Sequence, residues 1–128
     1  MNVPKDLRYT KTHEWVRVEA EDVVVGITDF AQQQLADLTY VELPSEGDRV
    51  SAQDEIGVVE SVKAASDVYA PVAGVVTMVN SELEDKPELI NTDPFDGGWM
   101  YRIKPDNQED VDNLLDADQY EELLPDDE

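Results

Sequence analysis

The valines constrain this chain most. Sixteen of the seventeen lie before residue 80, and a β-branched side chain is stiff about χ1 and sits best on a pleated surface. Seven short runs read as strands: Glu14 to Glu19, Val23 to Ile27, Thr39 to Leu43, Ile56 to Val62, Val68 to Ala70, Gly74 to Val79 and Trp99 to Ile103. Pro44-Ser45-Glu46-Gly47-Asp48, Ala70-Pro71-Val72-Ala73-Gly74 and Asp96-Gly97-Gly98 supply turns between them. Strands this short and this closely spaced predict a mainly β fold, a sandwich or flattened barrel. Val, Ile, Leu and Phe make up 33 of 128 residues, above the roughly one-fifth below which disorder becomes the default. The length suits a single domain over 1–128.

Helical patterning is brief. Phe30 to Leu38 reads as a helix with Asp29 as N-cap, Gln32 three residues on, and Phe30, Gln34, Leu35 and Leu38 on one face. A second, Ser81 to Glu84, is stopped by Pro87. A third covers Glu109 to Leu115, with Asp106 and Glu109 spaced as a capping box, and a last turn runs from Asp118 to Leu124. Residues 105–128 form an acidic C-terminal helical segment holding eleven acidic and no basic side chains. Its simpler reading is a solvated helix and tail; a partner-binding tail is the other.

The whole chain carries 31 acidic and 9 basic residues, a net charge of −22. Nucleic acid and anionic membranes, which are recognised through Lys and Arg, are poor partners for it. There is no cysteine, so thiol chemistry has to come from something added to the protein. The opening residues lack the apolar stretch of a signal peptide, and no run approaches the roughly 18–20 apolar residues that span a bilayer. A soluble cytoplasmic protein is expected. With one histidine, His13, and no zinc-protease, phosphate-loop or nucleophile-elbow motif, neither a metal site nor catalysis by its own side chains is expected. His13 is read as structural.

Such a surface looks adapted to high salt, where screening relieves self-repulsion. The screening length falls from about 30 Å at 0.01 M to about 3 Å at 1 M. The thermal midpoint is therefore expected to rise by several degrees over that range. A flat or falling midpoint in chloride salts would refute the reading.

One stretch stands apart, Gly57 to Gly74. Two strand-like arms flank a centre of small and polar residues, and Lys63 lies at that centre. A hairpin there presents the amine at an exposed tip that Ala64 and Ala65 leave uncluttered. Spacing alone still favours an ordinary solvated lysine and does not decide for an attachment site.

Glu60-Ser61-Val62-Lys63-Ala64 followed by Ala70-Pro71-Val72-Ala73-Gly74 resembles the attachment hairpin of lipoyl-carrier domains. Tyr9 to Val16, Val25 to Gln32, Val41 to Pro44, Val58 to Ala64 and Asn91 to Met100 resemble, in order and spacing, the glycine cleavage system H protein family, over about residues 7 to 124. The resemblance implies a flattened β-sandwich or barrel of the lipoyl/biotinyl carrier, hybrid-motif type, with short helices and a C-terminal helix. It implies lipoate joined covalently to Lys63, with Glu60 and Ser61 recognised during attachment. It further implies a surface cleft for the arm near Thr12, Glu14 and Asp67. The chain would then be a carrier and not an enzyme, a monomer serving four partners. These are a pyridoxal-phosphate glycine decarboxylase, a tetrahydrofolate-dependent aminomethyltransferase, a flavin dihydrolipoyl dehydrogenase that uses NAD, and a lipoyl-attachment enzyme. A lipoyl-relay protein or a 2-oxo-acid dehydrogenase-type carrier is the alternative. Two positions depart from the pattern. Gln53 stands where a turn glycine is usual, and Gln34 where some members carry histidine.

Overall fold

A computed structural model describes residues 2–124; residues 125–128, the end of the acidic segment, lie outside the described residues. In chain order the elements are β1 (Arg8–Tyr9), β2 (Glu14–Glu19), β3 (Asp22–Ile27), α1 (Asp29–Leu35), β4 (Leu38–Glu42), β5 (Arg49–Val50), β6 (Glu55–Ser61) and β7 (Ala65–Tyr69). There follow β8 (Gly74–Val79), α2 (Glu82–Asp85), α3 (Leu89–Thr92), β9 (Tyr101–Pro105), α4 (Gln108–Asp112) and α5 (Ala117–Leu123). The strands form two antiparallel sheets, β1-β2-β3-β9-β8-β5 and β4-β6-β7. This is the sandwich of the two expected architectures. It does not close into a barrel, because at the edge of β7 the Tyr69 N–H meets a side chain, donating to Glu14 Oε2 at 3.1 Å.

The core explains the valine run. Val16, Val23, Val25 and Ile27 face inward with Val41, Val59, Val68, Val76 and Ile103. On the opposite face of the same strands, Trp15 and Val24 join Leu7, Tyr9, Ala117 and Tyr120. So α5 packs on the outside of the larger sheet, and β3 and the first half of β2, Glu14 to Val16, are buried on both faces. A doubly buried strand is apolar without alternation, which is how Val23-Val24-Val25 reads. Trp15 pairs with Gly26, and a Cβ at Gly26 would lie 2.7 Å from the indole. Only glycine lets that ring cross the strand.

Several expected boundaries move, each for a local reason. Thr28 caps α1, its Oγ1 accepting from the Ala31 N–H at 3.3 Å, while Asp29 accepts from Gln32 Nε2 at 2.6 Å. The helix stops at Leu35, because Asn91 takes over its end. The Asn91 amide donates to the Ala36 carbonyl at 2.7 Å and accepts from the Leu38 N–H at 2.9 Å, which hands Leu38 to β4. Asn107, not Asp106, caps α4; Asp106 instead pairs with Arg49 at 2.8 Å. The reciprocal capping box belongs to α5, between Asp116 and Gln119 at 2.8 and 3.0 Å. β9 begins at Tyr101, since Asn80 Nδ2 holds the Gly97 and Trp99 carbonyls at 3.1 and 2.8 Å. β1, β5 and α3 were not foreseen.

Gln53, at the position where a turn glycine was expected, adopts a φ of 75°. Its N–H donates to the Ala70 carbonyl at 2.8 Å, which holds the turn in place. A left-handed conformation costs a non-glycine residue roughly 1–2 kcal/mol, and glycine returns roughly 0.5–1 kcal/mol through its freer unfolded chain. Gln53→Gly is therefore expected to stabilise the protein by under about 1 kcal/mol, seen as a slightly higher thermal midpoint. A lower midpoint would mean that the Gln53 side chain contributes contacts that matter more than its backbone.

Candidate functional site

β6 and β7 form the hairpin foreseen around Lys63. Val59 pairs with Ser66 and Glu60 with Ala65, and the Ser61 N–H closes the turn on the Ala64 carbonyl at 2.8 Å. The Ser61 hydroxyl is spent inside this turn, accepting from the N–H groups of Lys63 at 3.3 Å and Ala64 at 3.2 Å. These bonds build the tip. Lys63 is exposed, and Val62 beside it is 90% exposed. Among the described residues no carboxylate forms an ion pair with the Lys63 amine. The tip combines a rigid backbone with a free side chain.

Beside the hairpin, between α1 and the open edge of β7, lies a cleft of about 130 Å³. Ile27, Phe30, Ala31, Leu35 and Val59 make its apolar walls, and Thr12, His13, Glu14, Gln34, Ser66 and Asp67 its polar lining. Glu14 is 1% exposed. Its Oε1 accepts from the Thr10 and Thr12 hydroxyls, and its Oε2 from Tyr69. Burial raises its carboxyl above the usual range even though these hydrogen bonds pull the other way. A buried carboxylate of this kind, at the end of an apolar slot, suits a small cationic group.

The three residues expected in the cleft thus border it together, but in different ways. Glu14 is buried in the wall and Thr12 holds it. Asp67 lies along the β7 edge. Val68 faces the core, so strand alternation turns the Asp67 side chain, with its partner Val58, toward the outer face. There Asp67 also lines a groove with Glu42, Glu55, Ile56, Gly57 and Val58.

His13 ties neighbouring elements together, a structural role. It has a φ of 75°, its ring lies 4.8 Å from that of Phe30, and its Nδ1 sits 2.8 Å from the Tyr120 hydroxyl. That hydroxyl is 2.7 Å from Thr28 Oγ1. Burial lowers the His13 pKa, keeping the ring neutral, and pushes the Tyr120 phenol up to about 12. One chain of hydrogen bonds therefore ties α5, the start of α1 and the cleft wall. The i, i+4 spacing of Phe30 and Gln34 was the sequence signal for the α1 wall; no local signal marked His13, whose partner is 107 residues away.

The residues 7–127 match the family model described as glycine cleavage H-protein. The chain belongs to this family. A glycine cleavage system H protein of Psychrobacter sp. is 60% identical over 124 residues, covering 96% of this chain and 98% of the relative. One from Halorhodospira halophila is 56% identical over 125 residues, covering 97% and 96%. The crystal structure of a glycine cleavage system H protein from Mycobacterium marinum superposes with a TM-score of 0.84 at 41% identity, covering 92% of this chain and 95% of that one. Among the described residues no helix of this H-protein family member is long and apolar enough to cross a membrane. No cluster of three or more His, Asp or Glu among them is arranged to hold a metal ion.

Proposed function

We propose that this chain is the lipoyl-bearing shuttle of a glycine cleavage system, working in the cytoplasm, with lipoate attached through an amide to Lys63. It would carry the aminomethyl group from the pyridoxal-phosphate decarboxylase to the tetrahydrofolate-dependent aminomethyltransferase, and electrons to the flavin dehydrogenase. The observation that carries this reading is Lys63 itself, an exposed amine without an ion-pair partner among the described residues, on a turn that Ser61 locks. When bound, the group supplies a dithiol/disulfide pair, the chemistry that a chain without cysteine lacks.

The chain's own residues have three tasks in this reading. The hairpin holds the attachment point out in solvent, where several enzymes can reach it in turn. The apolar side chains of α1, with Ile27 and Val59, exclude water from the adjoining cleft. The Glu14 carboxylate, held by Thr10 and Thr12, accepts a hydrogen bond from an ammonium group in that cleft. None of these is a bond-making role, which fits a carrier better than a catalyst.

Intact-mass analysis of protein from its native host tests the reading. The expected result is a single added lipoyl amide, mapped by fragmentation to Lys63. Unmodified protein throughout a culture that uses glycine, or a different adduct, would overturn it.

A further inference from the structure

The outer face of the β4-β6-β7 sheet holds an open patch next to Lys63. Tyr40 is 49% exposed and Val62 is 90% exposed. Tyr40 pairs across the sheet with Glu60, and Glu60 with Ala65. Because Val41 and Val59 face the core, alternation sets Tyr40 and Glu60 side by side on the outside. Glu42 and Asp67 continue the row, each paired with Val58.

Of the charges on this face, Glu42 and Asp67 are exposed and Glu60 is half-buried. Among the described residues, Arg17, Arg49, Arg102, Lys5 and Lys104 are all engaged with carboxylates elsewhere. None forms an ion pair with Glu42, Glu60 or Asp67. An aromatic side chain and a valine held in water beside unpaired carboxylates complement a partner with an apolar contact surface and a basic rim.

Geometry selects which partner. An enzyme acting at the far end of a long arm need not touch the protein near Lys63. The enzyme that acylates the lysine has no such freedom, since the amine stands only a four-carbon stem from the backbone. In that step the Lys63 amine, its proton lost to solvent, forms an amide bond to the carboxyl carbon of an acyl adenylate. The bond from that carbon to oxygen breaks, and AMP leaves with the electron pair. The reactive centre has to come down onto the turn, and Val62, Glu60 and Tyr40 are what it meets.

Building on the attachment at Lys63 proposed above, we infer that Tyr40 and Val62, flanking Glu60, are the docking surface for the lipoyl-attachment enzyme, which meets them with an apolar patch and a basic side chain opposite Glu60. The test is steady-state lipoylation of the unmodified protein by that enzyme with lipoate and ATP, followed by intact mass. Tyr40→Thr and Val62→Ser are each expected to raise KM about tenfold with kcat within twofold of the parent. Val18→Thr and Met78→Thr, at 51% and 48% exposure on the other sheet, are expected to change neither. Glu60→Gln is expected to reduce the rise of KM with salt. Thermal midpoints close to the parent's establish that the variants are folded. KM values within twofold of the parent for both Tyr40→Thr and Val62→Ser would overturn the docking surface while leaving attachment at Lys63 intact. A parent that accepts no lipoyl group on Lys63 would overturn both.

Discussion

Replacing Lys63 with arginine is expected to leave the protein folded and to abolish lipoyl attachment. The side chain is exposed and without an ion pair among the described residues, so its exchange falls among surface substitutions worth within about 0.5 kcal/mol. Lys63 contributes its backbone N–H to the turn, on Ser61 Oγ, and arginine keeps it. Arginine also keeps the charge, but its guanidinium is not an acyl acceptor in this chemistry. Intact mass after co-expression with the attachment enzyme decides the matter. A lipoyl adduct on Lys5, Lys11, Lys86 or Lys104 in the variant would sink the assignment. Lys5 is a poor substitute in any case, being paired with Asp118 at 2.9 Å.

Glu14→Gln is expected to uncover what the buried carboxylate does. The amide fits the same place, with its oxygen on the Tyr69 N–H and its NH₂ on the Thr10 and Thr12 hydroxyls, so the wall of the cleft is retained. What disappears is the negative charge. Non-enzymatic loss of the aminomethyl group from the loaded protein is expected to accelerate about tenfold, equivalent to about 1.4 kcal/mol. An unchanged rate at equal pH and salt would remove Glu14 from the protective role.

The variant has a second readout that needs no cargo. Burial raises the Glu14 pKa in the folded state, so between the ordinary carboxylate value and the raised one the folded protein holds more protons than the unfolded chain. Stability contributed at Glu14 is then present below the unfolded pKa and lost as pH rises through the folded pKa. Glu14→Gln lacks this loss. Its stability relative to the parent is expected to climb with pH across that window and level off above it. A constant difference would mean that the Glu14 carboxyl titrates normally.

The positions of the strands were written locally, and so they were legible. β2 and β8 run as read, β3 begins one residue earlier, and β6 is shifted by one residue at both ends, because valine-rich runs between turn residues state their own conformation. The Lys63 hairpin was legible for the same reason, being a local pairing of β6 with β7. β1 and β5, at two residues each, are too short to show a period. They exist because Arg8 and Tyr9 find Val16 and Trp15, and Arg49 and Val50 find Val75 and Gly74.

The site divides along the same line. Lys63 needed only its hairpin, whereas the cleft is assembled from β2, α1 and β7, brought together by the packing of the two sheets. That packing decided that Glu14 is buried and that His13 lines the cleft. The open edge of β7 follows too, while strand alternation turns Asp67 outward. The family motifs could name Thr12, Glu14 and Asp67 but could not say which way each side chain points. What the sequence by itself determined was the β character, the exposed lysine and the family, since each rests on residues close together in the chain. Tertiary structure alone decided where α1 ends, through an amide 55 residues away. It also put the Glu14 carboxylate out of the water, because burial depends on what distant strands and helices bring to the same place.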